Sequence, residues 1–403
     1  MKAAVRPMDP EGDAELEEKV SQLRIAAYPA FPEVRETDYY AHLYRWFREH
    51  PLADQLSRWI AVTEDGGVAG HLAAFPQYYR LDGERVVAHT PGDYMVLPDH
   101  GFQAIMLMRS FFRRTENCVV CDMVPAVIEV ESRFGAKVSG ELQYAAKLMN
   151  VSRLPMPPVP ARIRNLLGLP DQFAPARGFT EGPGAETEDL EERAAPPAPR
   201  PRAPIPPPLK NLMNRGLERI DATLADRFGG SLEVEKVDSF DESFDELFGR
   251  VAAVVPCLPE KDSAFLRWRY GPGSPQEPVT VLGVRIRGRL LGYAVLRDAS
   301  KGQDGYVLDL MCLPGRRDVA RALLRETVRH FREMGVQIIR YRFVDSATAS
   351  RSGDLVRLGF LPRKGRRNYL LVKFADTGRQ EMALDLANWS YNIGDGEASF
   401  WLR

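Results

Sequence analysis

Cys118 and Cys121 form the stretch CVVC, a spacing that suits a zinc site or a redox pair. The surrounding NCVVCDMV alternates as a strand, so an offset of three puts the two sulfurs on opposite faces. No second CxxC completes a zinc site, and Cys257 and Cys312 stand apart, so buried structural thiols are the expectation. The six histidines, at 42, 50, 71, 89, 100 and 330, show no metal-binding spacing, and no metal is expected. The other chemistry-bearing feature is acidic. Asp93 heads DYMVLP (93–98) and Asp309 heads DLMCLP (309–314), four of six positions agreeing in the frame D-x-M-x-L-P. Each strand keeps a carboxylate among apolar positions, with Asp93, Met95 and Leu97 on one face by alternation.

These strands belong to a longer correspondence. Trp46 of YRWF matches Trp268 of LRWRY, and Gly70 matches Gly292, both at an offset of 222. RFGA (133–136) matches RLGF (357–360) at 224, and Tyr144 matches Tyr369 at 225. Matches in one order at nearly one offset imply a tandem duplication. Each half reads as a strand, helical segments, a hairpin, the D-x-M-x-L-P strand, a helix, another strand, a helix and final strands. The expected fold class is α+β, with one mixed sheet per half and helices on both faces. Domain boundaries follow at 1–154 and 231–403. Between them, 155–208 holds fifteen of the 31 prolines and reads as a spacer, with a proline-recognising partner as the sharper alternative. Residues 209–230 read as a connecting amphipathic helix, its apolar face set by Leu209, Met213, Leu217, Ile220, Leu224 and Phe228.

The strand–loop–helix order resembles the GNAT acyltransferase superfamily over nearly all of both halves. RLGF resembles the end of that superfamily's penultimate helix. LRWRY (266–270) and the tail WSYNIGDGE (389–397) are similar to a poorly characterised group of bacterial tandem GNAT proteins. The resemblance implies two GNAT-like domains, each a mixed, mostly antiparallel sheet, and an N-acyltransferase using acyl-CoA, acetyl-CoA first. Its acceptor would be a small-molecule or peptide amine. Met95, Val96 and Leu97, or Met311, Cys312 and Leu313, would pair with the pantetheine arm and offer an N–H to the oxyanion. Gly101, Phe102, Gln103 and Ala104, or Arg316, Arg317 and Ala320, would meet the pyrophosphate where a loop enters a helix. Both loops depart from the family's glycine-rich pattern. Pro98 to Leu107 and Pro314 to Leu323 span nine residues each, about two fewer than usual. The first loop keeps Gly101 and is the favoured site, while the second adds Asp318 beside its arginines. Asp93 and Asp309 occupy the strand that commonly carries the family's base. The usual tyrosine proton donor aligns with Glu131 and Leu355, which leaves Glu131 as a candidate acid. Tyr144 and Tyr369, on the last strands, are further candidates. Trp46 and Trp268 fall where the family builds its acceptor side.

Bulk composition narrows the alternatives. The formal net charge is −1, with 54 basic and 55 acidic residues, which argues against nucleic acid and anionic membranes. It also weighs against the rival expectation of a Fem-type aminoacyl transferase. The N-terminal stretch lacks the apolar run of a signal peptide, no apolar segment reaches transmembrane length, and a cytoplasmic location is expected. A third expectation is a binding or scaffold protein built on two degenerate GNAT domains.

Overall fold

The computed structural model describes residues 3–8, 14–29, 35–152, 207–299, 303–349, 351–363 and 367–402. The proline-rich stretch read as a spacer, with its alternative as a partner site, lies outside the described residues up to position 206. Contact density divides the chain into 1–148 with 221–403, and 149–220. Of the latter, the described part is 149–152 and most of helix α5 (Pro207–Phe228), where the Asn214 side chain accepts from the Val151 N–H at 2.9 Å.

The first half begins with β1 (Ala3–Met8), α1 (Ala14–Ala27), α2 (Thr37–Phe47), β2 (Ser57–Thr63), β3 (Val68–Leu81) and β4 (Glu84–Val96). α3 (Gly101–Arg114), β5 (Cys118–Asp122), α4 (Pro125–Arg133), β6 (Lys137–Glu141) and β7 (Gln143–Leu148) follow. α2 forms because Tyr40, Leu43, Tyr44 and Phe47 recur at helical spacing and bury one face. β3 and β4 are joined by Asp82–Gly83, both at positive φ (50° and 80°), a turn whose twist matches the hairpin. α1 and α2 cover one face of the sheet, and α3 and α4 the other.

The second half contains β8 (Glu235–Lys236), α6 (Glu242–Ala252), β9 (Cys257–Pro259), α7 (Ser263–Tyr270), β10 (Val279–Ile286), β11 (Arg289–Ala299) and β12 (Asp304–Cys312). Then come α8 (Arg317–Glu333), β13 (Ile338–Phe343), α9 (Ser352–Arg357), β14 (Leu361–Pro362), β15 (Tyr369–Lys373) and α10 (Thr377–Leu384). Asp241 and Asp262 start α6 and α7 by accepting backbone N–H groups in the first turn.

Strand order departs from one self-contained sheet per half. The first sheet runs β1-β2-β3-β4-β5-β15-β6, with β9 pairing β3 at its side, and the second runs β14-β7-β13-β12-β11-β10-β8. The two halves exchange one strand each: β15 inserts between β5 and β6, and β7 between β13 and β14. Each sheet contains the same strand order once the exchange is counted. The exchange, together with the stacked tryptophans described below, welds the halves so that neither sheet is complete without the other.

Candidate active site

In both sheets, the D-x-M-x-L-P strand parts from its parallel neighbour. β4 meets β5 at the single pair His89–Cys118, and β12 meets β13 only from Asp304 to Val307. Beyond these points each pair leaves a slot. A bulge opposite β3 sits at Asp93 (φ 47°), and a second interrupts the β11–β12 ladder just before Asp309. The bulges bend the strands where the slots open.

Antiparallel alternation fixes which N–H groups face each slot. The Leu97 N–H donates to Ala69 and the Leu313 N–H to Leu291, so the intervening Val96 and Cys312 N–H groups point away from the hairpin partner. In the second slot the Cys312 N–H is taken by the Thr348 carbonyl at 2.8 Å. The tail fills the rest. Asn392 bridges to Phe343 of β13, its Nδ2 donates to Asp309 at 2.9 Å, and Gly394 packs so close to the Leu308 carbonyl that a Cβ would lie 2.5 Å from it. The chain's own residues therefore occupy the second slot. In the first slot no acceptor among the described residues takes the Val96 N–H. Here the tail crosses only the narrow end, where Glu397 lies on Gly92 and accepts from the Asp93 N–H at 3.3 Å. Any side chain at position 92 would collide with it, at 2.5 Å from Glu397 Cγ.

The loops differ in the same direction. Pro98–His100 forms a 3-10 turn leading into α3, and Gly101 and Phe102 are exposed at its start, with open space around Gly101. Gln103 turns inward and donates to the Ala3 carbonyl, and Ala104 is half-buried. Asp99 is exposed in the turn, a negative charge ahead of the helix. At α8, Arg316 pairs with Asp318 and Arg317 with Asp354, so both guanidiniums already have carboxylates, and Ala320 is buried.

The strand aspartates are held in buried ion pairs. Asp93 accepts from Arg24 Nε at 3.2 Å, Arg24 Nη2 at 2.6 Å and the Tyr44 hydroxyl at 2.8 Å. Burial pushes its carboxyl up, the Arg24 charge and these bonds outweigh that, and the net shift is downward. His71 Nδ1 bonds the Asp93 carbonyl while Arg58 donates to Nε2, and burial pushes the imidazole down to about 4, so it is neutral at pH 7. Asp309 accepts from Lys261 at 2.7 Å, Tyr293 at 2.8 Å and Asn392. Lys261 also pairs with Asp395, whose carboxyl burial pushes up to about 6. Neither strand aspartate is placed as a carboxylate waiting for a proton, contrary to the general-base expectation.

Glu131 is the exception among the acids. It is fully buried on α4, and neither carboxyl oxygen has a hydrogen-bond partner among the described residues. Its helix neighbours Val127, Ile128 and Val130 pack against the same apolar cluster as Tyr94, Val96 and Tyr369. Burial, reinforced by the Asp122 and Glu397 charges, pushes its carboxyl up to about 9, so it carries a proton at neutral pH.

The two tyrosines matched in the sequence part company. Tyr369 travels with β15 into the first sheet beside Asp122, whereas Tyr144 travels with β7 into the second sheet, where Arg340 bonds its hydroxyl and Arg342 stacks on its ring. Trp46 and Trp268, expected on the acceptor side, meet each other. They stack on each other at 4.0 Å and 9°, and each indole N–H donates to the other's carbonyl. All four cysteines are buried thiols, with Cys118 and Cys121 in different core clusters. Among the described residues no three metal-ligating side chains converge. Sequence reasoning missed Arg24, Tyr44, His71 and Lys261, because nothing in their local spacing marks them as partners of the aspartates.

This architecture is that of the GCN5-related N-acetyltransferase fold. Structures similar to it include a GCN5-related N-acetyltransferase from Anabaena variabilis, with a TM-score of 0.52 and 10% identity over 94% of this chain and 75% of that one. One from Kribbella flavida gives 0.52 and 12%, over 94% and 74%. Saccharomyces cerevisiae N-myristoyltransferase with bound myristoyl-CoA gives 0.51 and 12%, over 92% and 83%. No family model matches the chain, and no curated protein does.

Proposed function

We propose that the chain is an acyl-CoA-dependent N-acyltransferase working at the first slot, with the second half as its scaffold. The observation that carries this is the asymmetry of the two slots: Val96 keeps an unclaimed N–H beside an uncovered helix start, while the chain itself plugs the equivalent Cys312 position. The similar yeast transferase holds myristoyl-CoA in its structure, which supports an acyl-CoA donor of this class. Val96 N–H would hold the carbonyl oxygen as it becomes an oxyanion, and the N-terminus of α3 would face the pyrophosphate. Attack by a neutral amine nitrogen forms the C–N bond as the C–S bond breaks. Glu131 gives its proton to the departing sulfur and regains one from the nitrogen, so amine and thioester become amide and thiol. Asp93 holds Arg24 and Tyr44 in place. The second half contributes β15 and the tail, a structural role that its plugged slot favours.

Titration calorimetry with CoA and acetyl-CoA tests the assignment. Wild type and Gly101→Ala should bind alike, since a Cβ at Gly101 meets nothing within 4 Å. Gly101→Glu should abolish binding by placing a carboxylate at the phosphate position, and Arg317→Glu should leave it unchanged. Binding lost in Arg317→Glu and kept in Gly101→Glu overturns the choice of slot, and no binding by wild type overturns the acyl-CoA reading.

A further inference from the structure

We propose that Glu397 sets the length of the acyl group: its side chain closes the narrow end of the first slot against an aromatic-walled recess, so that the donor is a short-chain acyl thioester. This rests on the acyl-transfer reading of that slot. α3 starts beyond the C-terminal end of β4, and β4 closes on β5 at His89–Cys118. A thioester arm whose phosphates meet α3 therefore runs back along β4, and an acyl group beyond the Val96 N–H points at Asp93 and Gly92. Three residues of strand, roughly 10 Å, separate Val96 from Asp93. Contact distances of about 3.5–4 Å at each end take most of that length.

At that point the tail bars the way. Glu397 Cδ and Oε1 would each lie 2.8 Å from a Cβ on Gly92, so stem and carboxylate alike press on β4. The Asp93 N–H holds the carboxylate, and Arg269 holds the chain on either side of it, donating to the Gly394 and Gly396 carbonyls at 2.8 Å and the Ser399 hydroxyl at 2.9 Å. Beyond Glu397 lies a recess walled by the rings of Phe47, Phe75, Trp268 and Phe400. It encloses about 10 Å³, room for about one water and not for a methylene chain. The Thr90 hydroxyl on its edge is spent on the Val119 carbonyl at 2.6 Å, and the Gln77 amide nitrogen is the polar exception, without a partner among the described residues. A chain reaching this point meets the bulk of Glu397 and would strip water from its carboxylate without replacing the hydrogen bonds. Without the side chain beyond Cβ, slot and recess join into one largely apolar channel.

Titration calorimetry with CoA, acetyl-CoA and octanoyl-CoA on the full chain reads this without turnover. Wild type should bind acetyl-CoA about as tightly as CoA, and octanoyl-CoA at least about ten-fold more weakly. Glu397→Ala should close that gap by tightening octanoyl-CoA about ten-fold or more, and Glu397→Gln, of the same bulk, should keep it. Octanoyl-CoA binding to wild type as tightly as acetyl-CoA overturns the proposal without any variant. A gap that survives in Glu397→Ala, or closes in Glu397→Gln, overturns it as well. If CoA binds and the gap is absent, the acyl-CoA reading stands and the length rule falls; if none of the three binds, both fall.

Discussion

Glu131 offers a readout of the first slot that needs no substrate. Its carboxyl titrates at about 9 in the folded chain against an ordinary value of 4.5. The folded state therefore holds a proton that the unfolded state has released across that window. Stability must fall as pH rises from about 4.5 towards about 9, and the loss stops above it, where both states are ionised. The slope is ~1.4 kcal/mol per pH unit, or ~4 kcal/mol between about pH 5.5 and about pH 8.5. Glu131 is fully buried, so no solvent screening reduces this. Glu131→Gln keeps the shape and cannot ionise. The variant should match the wild type near pH 5 and exceed it increasingly at alkaline pH, read by urea unfolding across the series. Under the acyl-transfer reading the same variant should also lose about a hundred-fold in kcat, because the sulfur leaves without its proton. A stability gap that stays constant from acid to alkaline pH would refute the claim that Glu131 is protonated in the fold.

Three other expectations follow from the buried contacts. Asp93→Asn leaves Arg24 buried without its carboxylate and should cost ~3–5 kcal/mol in urea unfolding; a fully stable variant with kcat abolished would instead restore Asp93 as the base. Lys261→Met leaves Asp309 and Asp395 facing each other, and should cost ~3–5 kcal/mol. Burial already pushes the Asp395 carboxyl up to about 6 against the pull of Lys261, so without that cation ionising Asp395 costs more, the loss should deepen from pH 5 to pH 8, and a pH-independent loss would contradict it. Trp46→Ala and Trp268→Ala should each cost ~3–5 kcal/mol. The double variant should cost less than the sum by ~0.5–3 kcal/mol, and additivity would show that the stack does not couple the halves.

The local chemistry of the chain was legible from its residues. Alternation placed Cys118 and Cys121 on opposite faces, and the clusters that receive them agree. The D-x-M-x-L-P frames mark the two strands that part from their neighbours, and the loops after Pro98 and Pro314 start α3 and α8 within the expected stretches. Glu131 was noticed only because it aligned where the family carries a tyrosine. Its burial is invisible in VIEVESRFG, where a glutamate on a short helix reads as solvated.

Periodicity, turn residues and apolar runs fix what each segment does with its own backbone, and so the sequence by itself determined the strands and the helices. Pairing between distant segments is another matter. QYAAKL and YLLVK are both short strands with similar demands, and either could complete either sheet. Only the tertiary structure sent β7 to the second sheet and β15 to the first, and with them Tyr144 and Tyr369. The same holds for charge. Asp93 and Asp309 are the same residue in the same frame, yet one meets Arg24 and the other Lys261, from unrelated positions. The tail decides most. WSYNIGDGE carries no pattern that says where it lies, but threaded through the splays it fills the second slot and crosses only the end of the first. Whether a slot keeps an unclaimed N–H depends on which distant carbonyl reaches it, and that is a property of the packed chain.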